Sequence, residues 1–293
     1  MSTEFPRTKP QCRWIALVIL GSCTLLAMQG AAAYSVFPID ATHSLKWGDN
    51  SNGTPGGAIT WGFIPAGTSG SAYCDTACPG TSLDSLNIEN GPGLGYTSVT
   101  LASLQGTIGA VMAEWAAVAD ISFVGPQADS GLPINDAGAT TPDIRIGVFA
   151  FGAGGGAVGY AAPPNGGTGA GDILFDANSF YAFQPGSDGD LFPAASTAPN
   201  DFESLLLHEL GHALGLAHPT GADAVCQVMD VSASCLGRIN RELDPDDIAG
   251  AQFLYGPAVV PVPAAAWLLG SALGLLGLGR RRHVRRSTGS QPC

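Results

Sequence analysis

At 293 residues and a formal net charge of −12, the chain is long enough for a sizeable core and too acidic for a nucleic-acid partner. Residues 34–256 hold four basic residues, Lys46, Arg145, Arg238 and Arg241, against 23 acidic ones, a net of −19. Such a surface repels nucleic acid and membranes, stays soluble and tolerates bound cations, and the 41 glycines suit a secreted, loop-rich fold.

Residues 1–33 read as a secretory signal. Arg7, Lys9 and Arg13 give a basic start, residues 14–28 an apolar core, and Ala31-Ala32-Ala33 a small-residue cleavage site, with an uncleaved anchor as the alternative. The mature chain then begins near Tyr34, with a short N-terminal segment over 34–57 that contains no cysteine. In 58–64, Ile59, Trp61 and Phe63 alternate with smaller or polar neighbours, which predicts a strand. Residues 62–98 read as an irregular insertion carrying Cys74 and Cys78. Leu101, Leu104, Ile108, Val111, Met112, Trp115 and Val118 fall at helical spacing and predict an amphipathic helix over about 99–119, its stripe turned to the core. The glycine-rich run 151–171 has no Gly-Lys-Ser/Thr and no basic residue, so a phosphate loop is excluded and a flexible loop is expected.

The stretch His208-Glu-Leu-Gly-His212-Ala-Leu-Gly215-Leu-Ala-His218 has the form H-E-x-x-H-x-x-G-x-x-H. His208 and His212 stand at i and i+4, so both project from one helix face. Asn200 is placed to cap that helix, with Glu203 three residues on, and Leu206, Leu207, Leu210 and Leu214 are placed to bury its other side. A continuing helix would carry the third histidine away, so the chain must turn at Gly215, where a left-handed conformation costs little. Three imidazoles hold a zinc ion and leave its fourth position to water, the arrangement of a catalytic site. Glu209 is then placed to take the proton. A helix with scattered surface histidines does not explain why three of five histidines lie within eleven residues, and His43 and His283 read as incidental.

Outside the two ends four cysteines remain, Cys74, Cys78, Cys226 and Cys235, which allow three connectivities. The local pairs Cys74–Cys78 and Cys226–Cys235 suit an oxidising compartment, with a cysteine-rich metal knuckle as the alternative. Over 243–256, Asp244 is placed to cap a helix, Pro245 to open it, Asp246 and Asp247 to favour its positive end, and Gly256 to stop it. In the tail, 257–293, an apolar stretch runs to Gly279 and is followed by Arg280, Arg281, Arg282, Arg285 and Arg286. About twenty apolar residues span a bilayer, so a single-pass anchor is one reading. The other is a sorting tail. Val-Pro-Val-Pro-Ala before a short span and an arginine cluster resembles the PEP-CTERM-type signals of Gram-negative bacteria, which imply an exosortase as processing partner. Val262 stands where the type motif has Glu. In both readings the domain faces outward, secreted or at the cell surface.

The eleven-residue motif resembles that of the metzincin metalloproteases, and Met229, eleven residues after His218, matches their Met-turn. Within them the chain is most similar to the matrixins, over about 58–256: residues 58–64 look like the first strand, 143–147 and 171–176 like later strands, and 243–256 like the closing helix. The resemblance implies an α/β (α+β) zincin-like domain with a twisted mixed sheet, an active-site helix and a closing C-terminal helix. It implies a zinc-dependent endopeptidase acting on proteins or peptides, with Val158, Gly159, Tyr160 and Ala161 as the cleft's upper rim, pairing with an extended substrate. It also implies calcium held by Asp143 and Asp172 with the carbonyls of Gly169 and Gly171, and Asp176 matches a second calcium position. The chain departs from the pattern at Tyr160 and Leu174, where the family has ligands of a structural zinc, so none is expected. It has Pro219 where many matrixins have Ser, and no cysteine switch in 34–57. The competing class is a non-catalytic zinc-binding surface or extracellular-matrix protein, against which the intact Glu209 argues, and a hydrolase acting on other bonds is a third.

Overall fold

A computed structural model describes residues 34–70, 79–89, 99–134, 136–150, 156–164, 167–194, 196, 198–219 and 226–259. The chain opens with β1 (Ser35–Val36) and β2 (Gly57–Phe63), then a short 3-10 turn over Leu83–Ser85 and β3 (Asn87–Glu89). Helix α1 (Leu101–Val118) leads into β4 (Ile121–Gln127), β5 (Ile144–Phe149), β6 (Ala157–Gly159), β7 (Ile173–Asp176) and β8 (Phe180–Ala182). The last elements are β9 (Asn200–Asp201), α2 (Phe202–Ala213), β10 (Leu216–Ala217) and α3 (Pro245–Tyr255).

The main sheet has five strands in the order β4-β2-β5-β7-β6. The first four are parallel, with Trp61 registered on Ile144 and Ile146 on Ile173, while the edge strand β6 runs antiparallel to β7. This is the mixed α/β architecture expected from the sequence. A parallel sheet needs cover, and its strands read as apolar runs: every residue of β5 and of β7 is buried.

Thr100 caps α1 by accepting from the Ser103 N–H, and the helix buries Leu104, Ile108, Val111, Met112 and Trp115. The indole of Trp115 donates to the carbonyl of Leu207 at 3.2 Å, pinning α1 to α2. These residues form one core with Ile59 of β2, Ile144 of β5, Phe175 of β7, Leu206 and Leu210 of α2, and Leu254 of α3. Helix α3 begins where the sequence places it, at Asp244 and Pro245, and ends at Gly256 with φ +75°.

The insertion at 62–98 is not irregular throughout. Its β3 pairs with β8 in a second, three-stranded parallel sheet, and Leu83, Leu86 and Ile88 enter the core. Three residues are too few for a strand to show its alternation, so packing and not local pattern fixes this segment. Cys74 and Cys78 lie outside the described residues, as do the signal at 1–33 and the tail from 260 onward. Among the described residues no helix is long and apolar enough to cross a membrane.

Candidate active site

Helix α2 starts one residue later than the sequence suggests. Asp201, not Asn200, is the cap: its Oδ2 accepts from the Ser204 N–H at 3.0 Å and the Ser204 hydroxyl at 2.7 Å. Asn200 is occupied as a β9 residue paired with Tyr181 of β8. The Asp201 carboxylate is preferred because it also meets Arg241, which in turn reaches Glu203. Leu206, Leu207, Leu210 and Leu214 are buried, as the stripe requires.

The helix ends abruptly. Gly215 has φ +103°, and a Cβ there would lie 2.1 Å from the Leu45 carbonyl oxygen, so glycine is demanded twice, by conformation and by space. The chain then forms β10 against β1, with Val36 on Leu216 and Ser35 on Ala217. The N-terminal segment closes this corner further: Phe37 N–H donates to Gly215 O at 3.2 Å, and the Trp47 indole donates to Ala213 O at 2.8 Å. Tyr255 hydroxyl donates to Leu214 O at 2.6 Å and accepts from the Trp47 N–H at 3.2 Å. The carbonyls at the end of α2, which lack partners within the helix, are thus satisfied from both ends of the domain.

The corner brings His218 back onto α2. One ligand atom from each of His208, His212 and His218 lies within 4.8 Å of the others. His218 Nε2 is 3.1 Å from His208 Nε2 and 2.9 Å from His212 Nε2. The opposite ring nitrogens are tied back, His208 Nδ1 to Val228 O at 2.7 Å and His212 Nδ1 to Leu216 O at 2.8 Å. A carbonyl can only accept, so each Nδ1 carries the hydrogen and each Nε2 presents a lone pair. Burial, with the neighbouring imidazoles, pushes His208 down to about 3 and His212 down to about 4, so both rings are neutral at pH 7.

Glu209 is buried, and its Oε2 accepts the Gly159 N–H at 2.5 Å. Burial pushes its carboxyl up to about 7, against the lowering effect of that hydrogen bond. Met229 is buried with its sulfur against Gly211, where a Cβ would lie 2.3 Å from Sδ. Its turn is held from α3: Asp247 accepts from Val228 N–H at 3.0 Å and from Met229 N–H at 3.3 Å. The disulfide Cys226–Cys235, one of the two local pairs expected, closes the segment around it.

The three histidines and Glu209 line one cleft of about 520 Å³. Of the expected rim, Val158 and Gly159 line it, together with Gly156 and Ala157, whereas Tyr160 packs with Ile64, Phe149 and Leu174. Tyr160 and Ala161 give their carbonyls to the Gly171 N–H instead. The strand pairing shows why. Val158 is registered on Leu174, and Tyr160 N–H donates to Asp172 O while Asp176 N–H donates to Gly156 O. Even-numbered residues turn their backbone groups to β7, so those of Ala157 and Gly159 face the other way.

Of the expected calcium set, Gly169, Gly171 and Asp172 share the loop before β7, with Asp172 N–H on Gly169 O at 3.2 Å. Asp143 is turned to β2, its Oδ2 accepting from Thr60 N–H at 2.7 Å and Thr60 Oγ1 at 2.6 Å. Asp172 Oδ1 accepts the Arg145 N–H at 3.0 Å, while its Oδ2 is buried with no hydrogen-bond partner among the described residues. Asp176 Oδ1 accepts the Asn178 N–H at 3.1 Å and closes its own turn.

Sequence reasoning missed three residues of this region as site residues: Asp247 as the anchor of the Met229 turn, Trp47 at the end of α2, and Arg238 in the cleft wall. Asp247 was legible only as a helix-start acid; the other two depend on chain segments meeting in space.

Comparison with known proteins agrees with this geometry. The matrixin family profile matches residues 98–256, more than half of the chain. Stromelysin-1 of Rattus norvegicus is 39% identical over 83 residues, 26% of this chain and 17% of that protein. Stromelysin-3 of Homo sapiens is 32% identical over 105 residues, 36% of this chain and 18% of that protein. Metalloendoproteinase 1 of Glycine max is 32% identical over 109 residues, 37% of this chain and 32% of that protein. The chain thus spans about a third or less of the length of each of these relatives. With the family profile running from the start of α1 to the end of α3 and enclosing the histidine triad, the chain belongs to the matrixin family.

Proposed function

We propose that this chain is a zinc-dependent endopeptidase in which His208, His212 and His218 hold the ion and Glu209 moves the proton. The observation that carries the reading is the convergence of three imidazoles, two with Nδ1 tied to a carbonyl, beside a buried carboxylate in one cleft. Three neutral nitrogen donors fit zinc and leave a position open. When bound, zinc supplies a Lewis acid that polarises a peptide carbonyl and makes water more acidic. Glu209 takes the proton of the attacking water and delivers it to the departing amine. The Gly159 N–H holds one carboxylate oxygen and leaves the other for the proton. The outward backbone groups of Ala157 give an extended peptide an edge to pair with.

Calcium is read onto Asp172 with the carbonyls of Gly169 and Gly171, supported by the buried Oδ2 of Asp172, a hard oxygen donor with no hydrogen-bond partner among the described residues. Asp143 is not needed for its carboxylate, which serves Thr60. Added Ca²⁺ should raise the unfolding temperature of the wild type but not of Asp172→Asn; equal rises would overturn this assignment. Residues 1–33 are read as an export signal and 257–293 as a sorting tail for an exosortase-type enzyme, or else as an anchor. The Cys226–Cys235 disulfide supports an oxidising destination.

The deciding experiment is cleavage of a mixed peptide library by the zinc-loaded chain, wild type and Glu209→Ala, with zinc content measured. Activity should fall by about 10²-fold or more in the variant while one zinc per chain remains. Zinc bound but no cleavage by the wild type would assign a binding role, and no zinc in either protein would sink the reading.

A further inference from the structure

Residues 34–256 contain four cations among 23 acids, and three of the four are committed inside the fold. Lys46 is buried, its Nζ donating to the carbonyls of Trp47 and Asp49 and to the Thr54 hydroxyl. Arg145 is buried against Asp129. Arg241 holds Asp201 and Glu203 at the head of α2. Arg238 is different. It forms no ion pair among the described residues, and it is one of the residues that line the cleft containing Glu209 and the three histidines. Nη1 donates to the Gly189 carbonyl at 3.0 Å, and Nε is buried with no hydrogen-bond partner among the described residues.

A guanidinium carries five donors in a planar fork that matches the two oxygens of a carboxylate. One neutral carbonyl leaves most of that fork unused. The cleft walls beside it are apolar, from Leu205, Val228, Val231 and Leu236. Two carboxylates other than Glu209 also line the cleft, Asp201 and Asp230. Asp201 is neutralised by Arg241, and Asp230 gives Oδ1 to the Ser232 N–H and bears on His218. Neither meets Arg238. The negative surface of the domain opposes an anionic peptide at long range, but that repulsion is screened beyond about 8 Å at physiological salt, whereas a pair inside the cleft is not.

We propose that Arg238 is a specificity-determining residue that receives a carboxylate of the peptide substrate, presented on an apolar stem that packs on the cleft walls. The inference rests on the reading of the site as a peptidase. A carboxylate on such a stem is a glutamate or aspartate side chain, or the free end of a short peptide, and the test separates the two.

The experiment compares kcat/KM for the zinc-loaded full chain on end-blocked peptides carrying Glu or Gln at each position around the scissile bond. A second set ends in either a free or an amidated carboxyl group. The expected result is a preference for Glu over Gln of about tenfold at one position, which is about 1.4 kcal/mol. Arg238→Gln should erase that preference and Arg238→Glu should turn it toward Lys, both with zinc content unchanged. Arg238→Lys, which keeps the charge without the fork, should retain part of it and guards against loss of folding in the other two. A preference for free over amidated ends that Arg238→Gln erases would assign the carboxylate to the peptide terminus. Cleavage with neither preference, or with one unchanged in the variants, overturns the inference and leaves the peptidase reading standing. No cleavage of any peptide by the zinc-loaded wild type overturns both.

Discussion

The backbone N–H of Gly159 donates to Oε2 of Glu209 at 2.5 Å, so the edge strand of the main sheet and helix α2 meet at the Glu209 carboxylate. The contact is close enough to require glycine. A Cβ at 159 would lie 2.3 Å from the Glu209 carbonyl oxygen and 3.0 Å from its Oε2.

Gly159→Ala should therefore force β6 away from α2. Overpacking of this kind costs about 1–3 kcal/mol, readable as a lower urea midpoint. Displacing the carboxylate by about 1 Å should lower kcat by about 10²-fold. A variant with lowered stability and unaltered kcat would show that the strand does not position Glu209.

Asp247 joins α3 to the turn beneath the histidines. Asp247→Ala leaves the N–H groups of Val228, Met229 and Asp244 without their acceptor. We expect a loss of about 3 kcal/mol in urea unfolding. Because Val228 also holds His208 Nδ1, zinc affinity measured by chelator competition should fall about 10–100-fold. Asp247→Asn keeps an acceptor oxygen and should lose less of both.

Glu114 on α1 contributes to the pH dependence of stability. Burial, and then the nearby Glu203, Glu242 and Asp188, push its carboxyl up to about 7. The folded state thus holds a proton that the unfolded state has released by about pH 5. Its contribution to stability is full below the unfolded value and is lost as pH rises through about 7. Glu114→Gln should raise the unfolding temperature at pH 8 and leave it unchanged at pH 4. The side chain is partly exposed and screened, so the gain should be a few tenths of a kcal/mol to about 1 kcal/mol. Equal effects at both pH values would show that packing, not charge, is responsible.

Trp47→Phe keeps a ring against Gly171 but removes the donor to Ala213 O. The expected cost is about 1 kcal/mol, with faster zinc release to a chelator. Loss of stability without faster release would confine Trp47 to packing.

Much of the site was legible because helix geometry acts over short separations. The spacing of His208, His212, Gly215 and His218 encodes two projections, a break and a return within eleven residues. Asp244, Pro245 and Gly256 mark α3 for the same reason. What was not legible depends on partners far along the chain. Asn200 and Asp201 are both good caps, and only Arg241, forty residues on, makes Asp201 the one used. Val158 and Gly159 line the cleft as expected, whereas Tyr160 and Ala161 do not, because their carbonyls are taken by the Gly171 N–H. The three-residue β3 and β8 have no local signature at all.

The indole of Trp47 and the carbonyl of Ala213 are 166 positions apart, and β1 must find β10 over a still longer separation. At about 5–20 residues per second of synthesis, Ala213 emerges roughly 10–30 s after Trp47. Until then the N-terminal segment has nothing to clamp, and the corner that returns His218 has no lid on its carbonyls. Long-range contacts of this kind form late, after shorter loops have closed. A zinc site that depends on this corner would therefore report that residues 35–47 have docked on residues 213–217.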